Sequence, residues 1–419
     1  MPPRKCTKTR ANVTRPCKRI TLPLDPATYQ AAMQDPQAFR EMVDQAIQKH
    51  PELFPATIAA GYCLHDRRAS QKLAGVGLRR IKLKALDGQG RDQVFTLAPS
   101  SVMPYMTGYT DEVEKALFLR GFGVPFWALA RVFGRDEAYW YRLAAQFGRY
   151  NLVHTTVKDP EKLPKDLLAD EKFANFNGEQ VYIATTVGQE CVLGASIALV
   201  ADTDNLREAY GHFKAEAQQV QPDYAPETVN TDGWSPTQRA WQALFPLIVV
   251  IECFLHAYLK IRARCRRTLL SPIAEKVWDL YRATNPQNFR EQAAALLNWA
   301  QHNVEGTPLA AIHKLAARVE RLVLAYEHPQ AHRTSNMLDR HMDRMARWLD
   351  DGRAFHGHWS SAECNIRSWA LLHNFWPYCP RAKIAKVYQS PAHRLNGFVY
   401  HENWLQNLLV STSLSGCSP

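Results

Sequence analysis

The sequence contains no Cys-x-x-Cys pair, no internal repeat, no low-complexity segment and no acidic residue before Asp25. Its nine cysteines, at positions 6, 17, 63, 191, 253, 265, 364, 379 and 417, are odd in number and lack ligand spacing. That speaks against a disulfide framework and for reduced thiols in the cytosol. The longest apolar run, Ala243 to Leu259, is interrupted by Pro246, Glu252 and His256 and falls short of a spanning helix, so no membrane partner is expected. The basic N-terminal stretch is not followed by the apolar core and small-residue cleavage site of a secretory signal, and export is not expected either. With 46% apolar and 22% charged residues, wholesale disorder is also excluded.

Positive charge is what the chain has in excess. Lys and Arg number 51 against 40 Asp and Glu, a formal net charge of +11, which suits a polyanionic partner such as nucleic acid. The 419 residues leave room for two or three domains at roughly 100 to 200 residues each. Residues 1–24 hold Arg4, Lys5, Lys8, Arg10, Arg15, Lys18 and Arg19 and read as a flexible basic arm adding phosphate contacts. Residues 25–106 read as a mixed region, helical to about Ala60 and then a β-hairpin over Leu78 to Leu97 turning at Asp87-Gly88-Gln89-Gly90.

Between 107 and 150 the pattern predicts three short helices: Asp111 to Arg120, Pro125 to Phe133 and Asp136 to Phe147. This is helix-turn-helix spacing, and the third helix would present Glu137, Tyr139, Arg142, Gln146 and Arg149 to DNA. A plain three-helix bundle is the alternative reading of the same pattern.

From Leu167 the texture changes to strands. Residues 167–173, 180–188 and 191–201 are rich in β-branched and aromatic residues, followed by a helix Thr203 to Val220, a strand ending at Asp232, a helix Ser235 to Leu244 and a buried strand Leu247 to Ile251. The order β-β-β-α-β-α-β, with an acid in the first strand and another at the end of the fourth, is that of an α/β ribonuclease-H-like core. It would set Asp170 and Asp232 on neighbouring central strands. Carboxylates brought together in this way repel unless a cation lies between them, and all-oxygen ligation selects Mg²⁺, with Mn²⁺ as a substitute. Two such ions roughly 3.5 to 4 Å apart serve phosphodiester displacement and call for a third acid.

Four segments in order carry a resemblance: LADEKF around Asp170, VNTDGW around Asp232, ECFLHAYLKIR with Cys253-x-x-His256, and RTSNMLDR around Asp339. Over roughly 107–375 the chain resembles bacterial insertion-sequence transposases of the DDE type, in the Mutator-like group. The TxNxxE pattern near that group's third acid fits Thr334 to Asp339, with Asp in place of Glu. The resemblance implies Asp170, Asp232 and Asp339 as catalytic and metal-holding residues, with Asp343 and Glu363 as alternatives for the third acid. Cys253 and His256 would support the site; half of a zinc site is the other reading of that pair. Lys260, Arg262, Arg264, Arg266 and Arg267, together with Arg142, Gln146 and Arg149, would contact DNA.

The chain is therefore expected to bind double-stranded DNA at element ends and target, as a homodimer or larger assembly, in the bacterial cytoplasm at the nucleoid. A non-catalytic DNA-binding regulator and a structure-selective nuclease are the competing functions. The core would run over 165–256 and 332–378, interrupted by an all-helical insertion at 257–331 whose interior includes Trp278 and Trp299. Residues 379–419 would form a tail able to wrap a neighbouring subunit.

Overall fold

In a computed structural model of the chain, which describes residues 18–70, 72, 73, 75–87, 91–350 and 355–415, two Asp-Pro steps each open a helix. Asp25 accepts a hydrogen bond from the Thr28 N–H at 3.0 Å and starts Pro26–Gln34; Asp35 accepts from the Gln37 N–H at 2.8 Å and starts Pro36–Lys49. In both, proline stands at the first turn, where its missing N–H costs nothing. The fold is mixed α/β and falls into two units, residues 1–163 with 347–419 and residues 164–346. The segment expected to end the catalytic core, 332–378, is thus divided at Ala346/Arg347.

The first unit carries a mixed four-stranded sheet of β1 (Arg19–Leu22), β2 (Tyr62–Ala69), β3 (Gly77–Asp87) and β4 (Arg91–Pro99), in the order β1-β4-β3-β2. The expected hairpin is the antiparallel β3–β4 pair, and the turn at 88–90 lies outside the described residues. Most of the expected basic arm, residues 1–17, also lies outside them. Its end is not free: β1 pairs in parallel with β4, and Ile20 and Leu22 are fully buried. Ile81, Leu83, Phe95 and Leu97 complete that core together with Tyr29, Phe39 and, from the far end of the chain, Val410.

Three helices, Thr110–Arg120, Phe126–Phe133 and Glu137–Ala145, follow within a residue or two of their predicted bounds. The first packs on the second and the second on the third, and the third, with the turn Gln146–Arg149 after it, packs against the helix Trp359–Phe375, which is buried from Ile366 to Phe375. Arg367 on that helix is 9% exposed, and its guanidinium donates to the carbonyls of Gly148 and Tyr150 at 3.1 and 2.9 Å. Buried charge of this kind is tolerated only when its donors are used. The described residues of the C-terminal stretch are built into the same unit. Ser100 Oγ donates to Gln406 at 2.7 Å, the Thr21 N–H donates to Ser413 Oγ at 2.9 Å, and Lys158 Nζ caps the helix Trp404–Ser411 through the Ser411 carbonyl.

The second unit holds a five-stranded mixed sheet: β5 (Asp166–Phe176), β6 (Glu179–Gly188), β7 (Cys191–Ala198), β8 (Thr228–Thr231) and β9 (Val249–Glu252), in the order β7-β6-β5-β8-β9. β5, β8 and β9 run parallel, while β6 is antiparallel to β5 and to β7. The β5–β6 turn uses Asn177 and Gly178, both at positive φ (51° and 89°), the requirement of a tight hairpin of right-handed twist. Helices Thr203–Val220 and Ser235–Leu244 bury Tyr210, Phe213 and Trp241 in one aromatic cluster with Phe245 and Tyr224.

The apolar run 243–259 is divided among a helix end, β9 and the helix Phe254–Arg262. Among the described residues no helix is long and apolar enough to cross a membrane. Beyond it, Arg267–Tyr281, Pro286–Asn303 and Thr307–Ala316, with two further short helices, surround a core of Ile273, Val277, Phe289, Leu296 and Ile312. Trp278 makes tilted or edge-on ring contacts with Phe254, Tyr258 and Tyr281, and Trp299 packs on the core under Lys276 Nζ. Both tryptophans therefore serve the interior of the insertion.

One close approach in the first unit is testable. A Cβ on Gly148 would lie 1.8 Å from the Cys364 carbonyl oxygen, so the turn Gln146–Arg149 can meet the buried helix only through a glycine. Gly148→Ala is expected to destabilise that unit by about 3 kcal/mol or more. Thermal unfolding followed by circular dichroism checks this, and an unchanged midpoint would contradict the packing described.

Candidate active site

Successive side chains of a strand point to opposite faces, so Asp170 and Glu171 on the central strand β5 serve two different environments. Asp170 lies immediately before Glu171 and accepts a hydrogen bond from its N–H at 2.8 Å. Glu171 turns toward the helices and accepts from Tyr210 Oη at 2.7 Å and Thr237 Oγ1 at 2.8 Å. Burial pushes the Glu171 carboxyl up to about 7 in spite of those two donors.

Asp232 follows the last residue of β8, the strand beside β5. Its Oδ1 accepts the Trp234 N–H at 2.7 Å, an Asx-turn that folds the chain back at Gly233, whose φ is +91°. Asp339 comes from the first turn of the helix Asn336–Asp350. Burial raises the Asp170 carboxyl to about 6, and the negative charges of Asp232 and Asp339 add to the rise. Three acids separated by 62 and 107 residues of sequence are thereby brought into one electrostatic neighbourhood.

The helix bearing Asp339 is tied to β9 through Ser335. The Ser335 N–H donates to Cys253 Sγ at 3.1 Å, and its hydroxyl stands 3.3 Å from that sulfur, 3.4 Å from His256 Nδ1 and 3.3 Å from Asp339 Oδ2. His256 is raised to about 9, chiefly by its hydrogen bond with Cys253 and then by the Asp339 and Asp170 charges. The Cys253 thiol is pushed up by burial, yet the His256 and Ser335 hydrogen bonds prevail and leave it below its usual range. Cys253 is fully buried, so it joins elements together and is not exposed for reaction; His256 is the cation that faces the acids.

In comparisons with known proteins, no family model matches the chain and no curated protein matches it. The residues themselves must carry the chemistry. The all-carboxylate donor set suits a hard divalent cation, and the mutual repulsion at Asp170 is what such a cation would relieve. The side chains are not a preformed cage, since no group of three or more His, Cys, Asp or Glu among the described residues is arranged to hold a metal ion.

Of the third-acid candidates, Asp339 has a charge felt at Asp170. Asp343, exposed one turn further along the same helix, adds to the rise of Asp339, and Glu363 stands on Trp359–Phe375 in the first unit. Lys260, Arg262, Arg264 and Arg266 are all exposed at and beyond the end of the helix Phe254–Arg262; the Arg267 side chain lies outside the described residues. Lys260 follows His256 by four residues and so lies on the same face of that helix, and the Arg264 guanidinium donates back to the Lys260 carbonyl. In the first unit Arg142 and Arg149 face solvent. Gln146 turns its amide nitrogen inward, where it has no hydrogen-bond partner among the described residues, and Tyr139 donates its hydroxyl to the Thr107 carbonyl at 3.0 Å.

Two features escape a reading of the sequence. Ser335, inside the TxN pattern, is a connector whose use depends on Cys253 lying 82 residues earlier. Glu252, the one acid in the apolar run 243–259, is 2% exposed and pairs with Arg318 and Arg321. A buried acid in an apolar strand signals that partners exist, but not where in the chain they stand.

The Asp170 shift has a measurable consequence for stability. Folding lifts this carboxyl from 3.8 to about 6, so the folded state holds the proton more tightly. The associated stability is complete below pH 3.8 and is lost as pH rises through about 6. Asp170→Asn cannot ionise and is expected to stabilise the metal-free protein at pH 8 by on the order of 1 to 3 kcal/mol, the gain fading toward pH 4. Denaturant titrations in chelator at both pH values decide it, and a variant no more stable than the parent at pH 8 would contradict the crowding.

Proposed function

We propose that the protein is a metal-dependent DNA transposase with a ribonuclease-H-like catalytic core. The observation that carries the reading is the parallel pairing of β5 with β8, which sets Asp170 and Asp232 on adjacent strands, with the charge of Asp339 from a later helix also felt at Asp170. The strand order β7-β6-β5-β8-β9, with β6 alone antiparallel to its neighbours on both sides, supports it. So does the helical insertion between the second and third acids.

Asp170, Asp232 and Asp339 would hold the divalent ions. Bound there, such ions lower the pKa of water and stabilise the entering and leaving oxygens of a phosphodiester displacement. The residues of the chain prepare for this in distinct ways. β5 and β8 fix two carboxylates on adjacent strands, and Ser335 orients the third through its hydroxyl. His256 supplies a positive charge beside them, suited to a phosphate oxygen. Lys260, Arg262, Arg264 and Arg266 extend that positive surface and would grip the DNA backbone without reading sequence.

Arg142 and Arg149 on the three-helix module would contact the element's ends in a helix-turn-helix manner, while Gln146, turned inward, is a poorer candidate for base readout. Cleavage would leave a 3′-hydroxyl that attacks a target phosphodiester in the same site, which needs neither a covalent enzyme intermediate nor a nucleoside triphosphate. Pairing of two ends calls for at least a dimer.

The test uses labelled duplexes carrying the DNA that flanks the gene, with cleavage in Mg²⁺ and gel-shift binding measured side by side. Asp170→Asn, Asp232→Asn and Asp339→Asn are each expected to lower cleavage by at least about 10³-fold, with binding changed by less than about threefold. Glu363→Gln is expected to cleave normally. Cutting retained by the Asp170 or Asp232 variant, or a dead Glu363 variant beside an active Asp339 variant, would overturn the assignment.

A further inference from the structure

The Glu252 carboxylate ends β9 and is enclosed by two guanidinium groups from the helical insertion. Arg318 Nε donates to Oε2 at 2.5 Å and its Nη2 pairs with the same oxygen; Arg321 Nη1 meets Oε1 at 3.1 Å. Arg318 stands at the N-terminal boundary of the short helix Val319–Leu322, with its side chain 24% exposed, whereas that of Arg321 is 68% exposed. A buried acid needs compensation, but one arginine would supply it. The placement of Arg318 points to a second use.

Glu252 is in register with Thr231, the residue before Asp232, and the Cys253 N–H donates to the Thr231 carbonyl at 2.7 Å. Gly233, the residue after Asp232, adopts φ +91°. A Cβ placed on it would lie 2.7 Å from Arg318 Nη2 and 3.7 Å from the Glu252 carboxyl carbon. The end of the guanidinium, Nη2, therefore fills the space that a side chain at 233 would take, against the turn in which Asp232 accepts the Trp234 N–H. Glycine is favoured there by its φ, and a side chain at 233 would have to displace the Arg318 guanidinium. Arginine suits the place because its planar fork spans the distance: the Nε and Nη2 edge that holds the Glu252 carboxylate also brings Nη2 against Gly233, which a lysine ammonium with its single nitrogen cannot do.

We infer that Arg318, held by Glu252, is a positioning residue for Asp232: the insertion reaches back and fixes the turn that aims this carboxylate. The catalytic meaning rests on the function proposed above, whereas the structural claim about the turn does not. Arg321 shares the Glu252 carboxylate but contributes none of the three atoms nearest a Cβ placed on Gly233, and it serves as the internal control.

The full chain and its Arg318→Ala, Arg318→Lys and Arg321→Ala variants are to be compared by hydrogen–deuterium exchange of the peptide covering 228–236 and by Mn²⁺-dependent nicking of supercoiled plasmid. Arg318→Ala is expected to speed exchange in that peptide by about tenfold or more, leaving β6 and β7 unchanged. It should lower the nicking rate by roughly 10²-fold, because a carboxylate displaced by about 1 Å costs that much, while plasmid affinity stays within about twofold. Arg318→Lys should show both effects in smaller degree, and it carries the test if the alanine variant does not fold. Arg321→Ala should change neither by more than about threefold.

Unchanged exchange at 228–236 in the Arg318 variants, or faster exchange with full nicking activity, would overturn the inference. If the parent protein itself does not nick, the proposed function fails, and the exchange result still decides whether Arg318 fixes the turn.

Discussion

Half-buried carboxylates of like charge set the main constraint on the second unit. Asp170 sits on the central strand, where burial alone makes its ionised form costly, and Asp232 and Asp339 add like charge to the same region. Such an arrangement opposes folding stability and persists only where the surrounding structure holds each group in place. The chain meets this requirement from three directions. Parallel pairing of β5 with β8 sets the first two acids, the Ser335–Cys253 contacts seat the start of the third acid's helix, and Arg318 backs the Gly233 turn. His256 brings the compensating positive charge.

The same acids explain why two carboxylates adjacent in sequence have separate tasks. Glu171, on the opposite face of β5, is held by Tyr210 and Thr237 among the aromatic side chains that join the two helices to the sheet. Its hydroxyl donors fix both the helix Thr203–Val220 and the helix Ser235–Leu244 to the strand that bears Asp170. The polar pair thus connects sheet position on one face with charge placement on the other.

Much of this second unit was legible in the sequence, because local rules and tertiary structure agree there. β-branched and aromatic runs marked β5 to β7, the helices Thr203–Val220 and Ser235–Leu244 were read over their observed bounds, and the strand ending at Asp232 marked β8. β1 and β2 escaped notice for physical reasons. β1 is four residues long and lies in a cationic stretch, and β2 is a largely exposed edge strand, YCLHDRRA, with little apolar alternation. The seating of the C-terminal residues in the first unit could not be read either. Their contacts span separations such as the 392 residues between Thr21 and Ser413, for which periodicity carries no signal. Gln146 looked suited to base contact because helical spacing places it near Arg142, but the chain tightens to a 3-10 turn over Gln146–Arg149 and rotates it inward. Likewise Glu252 could be seen as a charge in an apolar run, whereas its partners lie 66 and 69 residues further on.

The proposal distinguishes a transposase from a nuclease or a non-catalytic DNA-binding protein by one chemical property: the hydroxyl released at the element's end is joined to a second DNA. The most direct measurement supplies the purified full chain with Mg²⁺, a labelled duplex of the gene's flanking DNA ending in a free 3′-hydroxyl, and a supercoiled target plasmid. The expected result is covalent transfer of label to the plasmid without added nucleoside triphosphate. Nicked plasmid carrying no label would reduce the protein to a nuclease, and stable binding with neither cutting nor joining would contradict the catalytic account altogether.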